Sequence, residues 1–334
     1  MKDYKAYISR MIPEKAIRLL EGHCHLAVNR EDRPPSRSEL LAGVKGMHAV
    51  LTMLNDIVDA ELMDAAGSQC RIFANYAVGF NNIEIAAATQ RGIFISNTPD
   101  VLTDSTADMT FALLLAAARR VADGDRAVRT HRFPGWSPLF MLGVEVTGKT
   151  LGIVGAGRIG QAVARRAHGF DMKILYTANS PKPDFEKATG ASFIGLDVLL
   201  EQSDFVSLHV PLTSITYHLI SEREFSIMKE SAILINTSRG PIIDERALAD
   251  ALRNNVIRGA GLDVYEREPE VEAGLLDLDN AVLSPHLGSS TLETRERMGI
   301  MSAENIMAAL RGEVPPQCLN PEAFPGRFLQ RRDV

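Results

Sequence analysis

The stretch Thr147–Gly160, TGKTLGIVGAGRIG, limits what this chain can fold into more than any other. Its centre, Leu151-Gly152-Ile153-Val154, is a short apolar run with β-branched residues, which predicts a strand buried on both faces. The run ends in Gly155-Ala156-Gly157-Arg158-Ile159-Gly160, a G-x-G-x-x-G, and a helical pattern follows to Gly169. Strand, glycine turn and helix in that order are the context in which the motif means dinucleotide binding. Gly155 allows the tight turn, Gly157 lets backbone N–H groups approach a pyrophosphate at the positive end of the helix, and Gly160 lets helix and strand pack closely. The competing reading, a glycine-rich turn with no ligand, is weakened by that flanking strand and helix.

A chain of 334 residues is too long for one ordinary core and suits two domains. A net charge of −6 and a pI near 5.8 argue against a nucleic-acid partner or an acidic membrane surface, though not against a small anion held by a few local cations. The first twenty residues carry charges every few positions, which predicts no signal peptide, and the longest apolar run, Phe111 to Ala118, is far short of a membrane span. Cys24, Cys70 and Cys318 are scattered, with no C-x-x-C, as expected of free thiols in a reducing cytoplasm. No cluster of His, Cys, Asp or Glu has metal-ligand spacing, so no metal is expected. No G-x-S-x-G elbow supports a hydrolase.

Before the glycine loop, strand and helix patterns alternate. Strands are predicted at Tyr4–Ser9, His23–Asn29, Ala49–Leu54, Arg71–Ala77 and Ile93–Ser96. Helices are predicted at Pro13–Glu21, Ser36–Val44, Asp59–Ala66 and Asn82–Gln90, with Ser36 and Glu39 forming a capping box. This is a doubly wound α/β domain of flavodoxin-like character. A largely apolar helix, Ser105 to Val121, follows. His131 to Val144 lacks periodicity and reads as an irregular arm with exposed apolar residues, a candidate subunit contact. From Lys149 a second α/β run predicts six strands, at 150–154, 173–177, 205–210, 232–237, 258–264 and 281–284. Helices near 158–168, 196–202, 221–228 and 244–253 separate them. Thr291 to Arg311 is a long amphipathic helix ending at Gly312. Pro325 to Val334 reads as a polar, loose tail.

Three stretches fall at predicted carboxyl ends of strands, where open α/β sheets bind ligands. They are Asn236-Thr237-Ser238-Arg239-Gly240, Glu266-Arg267-Glu268-Pro269 and Ser284-Pro285-His286-Leu287-Gly288. Each offers a residue type that hydride chemistry on a 2-oxo acid requires. A guanidinium holds carboxylate and carbonyl oxygens with paired donors. An imidazole can give a proton to a nascent alkoxide, and a carboxylate beside it stabilises its charged form. Singly, each has a bland alternative: a surface arginine, a satisfied core histidine, a solvated loop acid. His209 and His218 read as structural.

Together, VGAGRIG at 154–160, HVPLT at 209–213, INTSRGPIIDE at 235–245, GAGLDVYEREP at 259–269 and SPHLGSST at 284–291 resemble the D-isomer-specific 2-hydroxyacid dehydrogenases over nearly the whole chain. The resemblance implies two doubly wound parallel-sheet domains. One is a flavodoxin-like substrate domain from both chain ends (1–100 and 288–334). The other is an inserted NAD(P)-binding Rossmann domain (101–287), with the active site in the cleft and a homodimeric assembly. It implies catalytic roles for Arg239, Glu268 and His286. Cofactor contacts are implied for Thr106, Gly155, Gly157, Arg158, Ile159, Gly160, Ala178, Asn179, Ser180, Val210, Pro211, Thr216, Thr237, Ser238, Arg239, Asp263, His286 and Gly288. Substrate contacts are implied for Leu54, Val78, Gly79, Arg239 and His286. Within the family, WSPLFMLG at 136–143 and ILYTANSPKP at 174–183 are most similar to glyoxylate/hydroxypyruvate reductases, with 2-ketogluconate reductases next. A nucleotide-sensing corepressor on the same fold is the alternative from another class.

After the second strand of the nucleotide half, Tyr176-Thr177-Ala178-Asn179-Ser180 lacks the Asp or Glu that accepts from the NAD ribose 2′-OH. No acid occurs until Asp184, while Asn179, Ser180 and Lys182 could meet a 2′-phosphate. NADP(H) is therefore expected to be preferred, with NAD(H) also usable.

Overall fold

The computed structural model describes residues 3–31 and 33–323; the expected tail at Pro325 to Val334 lies outside them. The chain divides into two compact units, Met1–Leu102 with Thr291–Val334, and Thr103–Ser290.

The first unit alternates β1 (Lys5–Ile8), α1 (Glu14–Glu21), β2 (His25–Val28), α2 (Arg37–Gly43), β3 (Ala49–Thr52), α3 (Ala60–Ala66), β4 (Ile72–Asn75), α4 (Ile85–Gln90) and β5 (Phe94–Ser96). Its five strands are all parallel, in the order β2-β1-β3-β4-β5. That is the flavodoxin-like order, and β3, β4 and β5 are buried at every position, as strands covered on both faces must be. The capping box forms: the Glu39 amide donates to Ser36 Oγ at 3.3 Å and the Ser36 amide to Glu39 Oε2 at 2.7 Å. The helix expected from Asn82 begins only at Ile85. Val58 and Ile83 pair as a bridge, which keeps Ile83 out of the helix, and Asn82 Nδ2 donates to the Met53 and Asp56 carbonyls at 3.2 and 2.8 Å.

The second unit runs α5 (Thr103–Arg119), α6 (Val121–Arg129), β6 (Thr150–Val154), α7 (Arg158–Ala167), β7 (Lys173–Thr177), α8 (Pro183–Thr189), β8 (Ser192–Phe193), α9 (Leu196–Gln202), β9 (Phe205–Leu208), α10 (Glu222–Ile227), β10 (Ile233–Asn236), α11 (Glu245–Arg253), β11 (Gly259–Leu262), α12 (Ala273–Leu276) and β12 (Ala281–Leu283). The sheet is parallel in the order β12-β11-β10-β9-β6-β7-β8, the Rossmann order extended by one strand. It has seven strands, not the six expected. The extra one, β8, is two residues long and exists only through its pairing with Leu175 and Tyr176, so it has no pattern of its own. The helix expected over 105–121 also ends early. Arg120 takes a left-handed conformation (φ 55°), and the Val144 amide donates to the Ala118 carbonyl at 2.8 Å, so α6 starts as a separate helix.

Ile153 and Val154 point to opposite faces of β6 and join separate core clusters. Ile153 packs with Phe111, Leu114, Val163 and Tyr176, and Val154 with Leu199, Phe225 and Leu248. The arm from 131 to 144 has no helix or strand; Phe133, Trp136, Leu139 and Leu142 are exposed, Trp136 by 88%. The chain then re-enters the first unit as α13 (Leu292–Arg311), capped by Thr291 and closed by Gly312 at φ 81°. Among the described residues, no helix is long and apolar enough to cross a membrane.

Candidate active site

The strand order of the second sheet reverses between β6 and β9, and the loops leaving these two strands meet. Gly155 sits at φ 102°, and a Cβ there would lie 2.7 Å from the His209 carbonyl and 2.9 Å from Val210. At Gly160 a Cβ would come within 2.2 Å of the Gly155 carbonyl oxygen, so α7 lies hard against the turn. Gly157, the residue capping α7, differs: nothing lies within 4 Å of its missing Cβ, and no side chain caps the helix. With no side chain at its cap and open space at Gly157, the positive end of α7 forms a cradle that fits a pyrophosphate. His209 sits on the other wall, its Nε2 2.8 Å from Ser207 Oγ, and burial pushes its imidazole down to about 3. Beyond it, Pro211 accepts a hydrogen bond from the Thr216 hydroxyl at 2.6 Å. Ala178, Asn179 and Ser180 follow β7, with Asn179 and Ser180 exposed.

Farther along the same sheet edge, three loops carry the catalytic candidates. After β10, buried Asn236 acts as a clamp. Its Oδ1 accepts from the Ser238 amide (3.0 Å) and hydroxyl (2.9 Å), and its Nδ2 donates to the Arg239 carbonyl (2.9 Å). The Arg239 guanidinium donates to the Ser238 carbonyl at 2.7 Å. Burial pushes Arg239 below its usual range, opposed by the charge of Glu268, but a guanidinium stays protonated. Gly240 then passes so close to the loop after β11 that a Cβ would lie 1.8 Å from the Tyr265 carbonyl carbon.

That second loop carries Glu268. Its Oε1 accepts from the Tyr265 amide at 3.1 Å, and its Oε2 lies 2.8 Å from His286 Nδ1. Burial pushes the Glu268 carboxyl up. The bond to His286, the imidazole's charge, the Tyr265 amide and Arg239 together outweigh it, leaving Glu268 below its usual value. The third loop, after β12, is shaped by buried Asp263, whose two oxygens accept from the Leu287 and Gly288 amides, each at 2.7 Å. His286 itself adopts φ 56°, and its amide donates to the Asp263 carbonyl at 2.9 Å. Burial raises Asp263, opposed by those amides. Thr106 lies 3.4 Å from where a Gly288 Cβ would stand, and Thr110 joins Thr237 by a 2.8 Å hydroxyl pair.

The structure therefore gathers Arg239, Glu268, His286, Asp263, Gly288, Thr106 and Thr237 on one unit. Leu54, Val78 and Gly79 belong to the other, in the loops after β3 and β4. There Asn97 Nδ2 donates to the Val78 carbonyl and Asn75 Nδ2 to the Gly79 carbonyl, both at 2.8 Å. With both carbonyls held, the amide N–H groups of Val78 and Gly79 have no acceptor among the described residues. Asp56 shapes the turn bearing Leu54, accepting from the Ser9 hydroxyl at 2.5 Å and the Met53 amide at 2.8 Å.

Sequence reasoning missed the clamps Asn75, Asn97 and Asn236, and a staple between Glu245 and Glu266. In the staple each carboxylate accepts the other's backbone N–H, at 2.7 and 2.9 Å. The available signal was an asparagine ending or closely following an apolar strand, where β-propensity disfavours it.

The family described as D-isomer specific 2-hydroxyacid dehydrogenase, NAD binding domain, matches residues 111–288. A glyoxylate reductase of Korarchaeum cryptofilum is 51% identical over 320 residues, 95% of this chain and 96% of its own. A crystal structure of a Thermus thermophilus protein superposes with a TM-score of 0.89 at 43% identity, covering 94% of this chain and 99% of that one. The NADPH-dependent glyoxylate/hydroxypyruvate reductase of Sinorhizobium meliloti, solved with NADP and malonate, superposes with a TM-score of 0.84 at 28% identity, covering 97% and 99%.

Proposed function

Because the chain belongs to the D-isomer-specific 2-hydroxyacid dehydrogenases, a family of NAD(P)-dependent oxidoreductases, we propose that it reduces small 2-oxo acids, glyoxylate and hydroxypyruvate first. The products are 2-hydroxy acids, of D configuration where chiral. The observation that carries this reading is the 2.8 Å pair of Glu268 Oε2 and His286 Nδ1, beside Arg239 on the ligand edge of a dinucleotide-type sheet. Near full-length likeness to curated reductases favours an enzyme over a sensing protein.

When bound, the nicotinamide cofactor supplies the hydride. Arg239 pairs with the substrate carboxylate and polarises its carbonyl, an interaction that strengthens as negative charge develops on oxygen. Glu268 occupies His286 Nδ1, so Nε2 is the atom left to deliver the proton. The carboxylate, held anionic by its partners, bonds Nδ1 and fixes the orientation of the imidazole. The open amides of Val78 and Gly79 supply further donors for the substrate carboxylate, and Leu54 contributes to the substrate pocket.

NADPH is preferred over NADH. Asn179 and Ser180 are exposed after β7, and Lys182 has no ion-pair partner among the described residues, so donors are available to a 2′-phosphate where an NAD site carries Asp or Glu. The exposed apolar arm of 131–144 supports a homodimer, and the three free cysteines a cytoplasmic setting.

The test is steady-state oxidation of NADPH and NADH with glyoxylate, hydroxypyruvate and 2-ketogluconate, in wild type, Arg239→Ala and His286→Ala. Efficient turnover of the first two, lost by about two or more orders of magnitude in the variants, is expected. Near-wild-type turnover in either variant refutes the assigned roles. Turnover of 2-ketogluconate alone moves the substrate, and equal efficiency with both cofactors removes the NADPH preference.

A further inference from the structure

The loop proposed to receive the 2′-phosphate is tethered from below by a side chain that the dinucleotide motif does not include. Tyr176, at the end of β7, is fully buried, its ring packed edge-on against Phe185 (centroids 5.1 Å apart) and tilted against Phe193 (5.4 Å). Its hydroxyl is the polar end of an otherwise apolar group, and both of its hydrogen-bonding capacities are used. It accepts from the Lys182 amide at 2.7 Å and donates to Glu186 Oε1 at 2.7 Å. Lys182 caps α8, whose Pro183 follows directly, and the Glu186 amide returns to the Lys182 carbonyl at 3.0 Å.

The two ends of the loop 178–182 are thereby fixed to one ring. At the start, Thr177 lies next to Tyr176 in the strand. At the finish, the Lys182 backbone hangs on the tyrosine hydroxyl. Between them, Ala178, Asn179, Ser180 and Pro181 are connected to the rest of the described chain by no hydrogen bond of their own backbone. The same hydroxyl keeps Glu186 engaged. Without it, that carboxylate, four residues from Lys182, would be free to compete with a phosphate for the Lys182 ammonium.

We propose that Tyr176 is a positioning residue for cofactor discrimination. Through its hydroxyl it holds the 178–182 loop in the shape that receives the 2′-phosphate and keeps the Glu186 carboxylate away from it. The proposal rests on the NADPH reading above. It does not touch hydride or proton transfer, and the predicted effect is on the relative affinity of the two cofactors.

The experiment measures dissociation constants of NADPH and NADH by nicotinamide fluorescence titration of the full chain, with thermal melts alongside. The proteins are wild type, Tyr176→Phe, Glu186→Ala and Glu186→Gln. Tyr176→Phe keeps the buried ring and loses the tether, so NADPH is expected to bind about five- to tenfold more weakly, the worth of one hydrogen bond, with NADH changed less than about twofold. Glu186→Gln retains an acceptor for the hydroxyl and is expected to keep the wild-type ratio. Glu186→Ala, at the rim of the core, gives a second reading if Tyr176→Phe folds poorly: it keeps the Lys182 amide bond to the hydroxyl and removes the competing carboxylate, so an NADPH preference at least equal to wild type is expected. If wild type prefers NADPH and the ratio is unchanged in Tyr176→Phe, if both cofactors weaken equally there, or if Glu186→Ala lowers the preference, the tether is merely structural and the proposal is overturned. If wild type binds the two cofactors equally, the NADPH reading itself fails, and the proposal with it.

Discussion

Placing a methyl group on Gly240 sets two active-site loops against each other. The added carbon would lie 1.8 Å from the Tyr265 carbonyl carbon, 2.0 Å from its oxygen and 2.4 Å from the Glu266 nitrogen. Ordinary van der Waals contact begins near 3.4 Å, so the strands of backbone must part by about 1.5 Å. All three obstructing atoms are main chain, so no rotamer change relieves the clash. The loop before Gly240 presents Arg239; the loop it strikes holds Glu268 through the Tyr265 amide. Overpacking of this kind costs about 1–3 kcal/mol, or roughly 2–12 °C in melting temperature for a unit of this size. A misplacement near 1 Å between groups that act together costs about a hundredfold in rate. Gly240→Ala is therefore expected to melt lower and to lose about two orders of magnitude in kcat/KM for glyoxylate, with cofactor affinity reduced less, because Thr237 to Arg239 shift with the loop while the 155–160 turn is untouched. Thermal melts, cofactor titration and steady-state kinetics on one preparation separate these effects. An alanine variant with wild-type melting temperature and turnover would refute the claim that close backbone approach at Gly240 sets the site.

The glycines of the dinucleotide turn should divide by role. Gly160→Ala, whose methyl would stand 2.2 Å from the Gly155 carbonyl oxygen, is expected to lower the melting temperature, whereas Gly157→Ala points into open space and should leave it unchanged while weakening cofactor binding about tenfold or more. A destabilised Gly157→Ala would speak against an open cradle. His209 introduces a pH dependence. Its folded value near 3 lies below the unfolded 6.5, so the unfolded chain takes up the proton first and stability is lost as pH falls from about 6.5 toward 3. Relative to His209→Asn, wild type should lose about 1–2 kcal/mol between pH 8 and pH 5 in urea denaturation; parallel curves would contradict a buried neutral imidazole. Asn75→Ala releases the Gly79 carbonyl and should raise the KM for glyoxylate several-fold with a smaller change in kcat, so an unchanged KM would mean that the clamp does not serve the 78–79 amides.

What the sequence determined by itself was local in character. Period, glycine spacing and caps act over a few residues, so β6, the turn at 155–160, α7 and the capping box at Ser36 could all be read from the chain. Arg239, Glu268 and His286 could likewise be named, because each sits in a short motif after an apolar strand. Pairing partners remote in the chain could not be read. Only the tertiary structure decided that Glu268 and His286, 18 residues apart, meet at 2.8 Å, because that depends on β11 and β12 lying side by side and on Asp263 folding the 286–288 loop. The same reason hid β8, whose pairing partners rather than its two residues make it a strand, and the late start of α4, where a bridge to Val58 overrides helix propensity. It also hid the asparagine clamps and the Tyr176 tether. A hydrogen bond from a side chain to a distant backbone leaves no periodic trace, and an asparagine or tyrosine at a strand end has the same letter whether its polar atoms meet water or hold a loop in place.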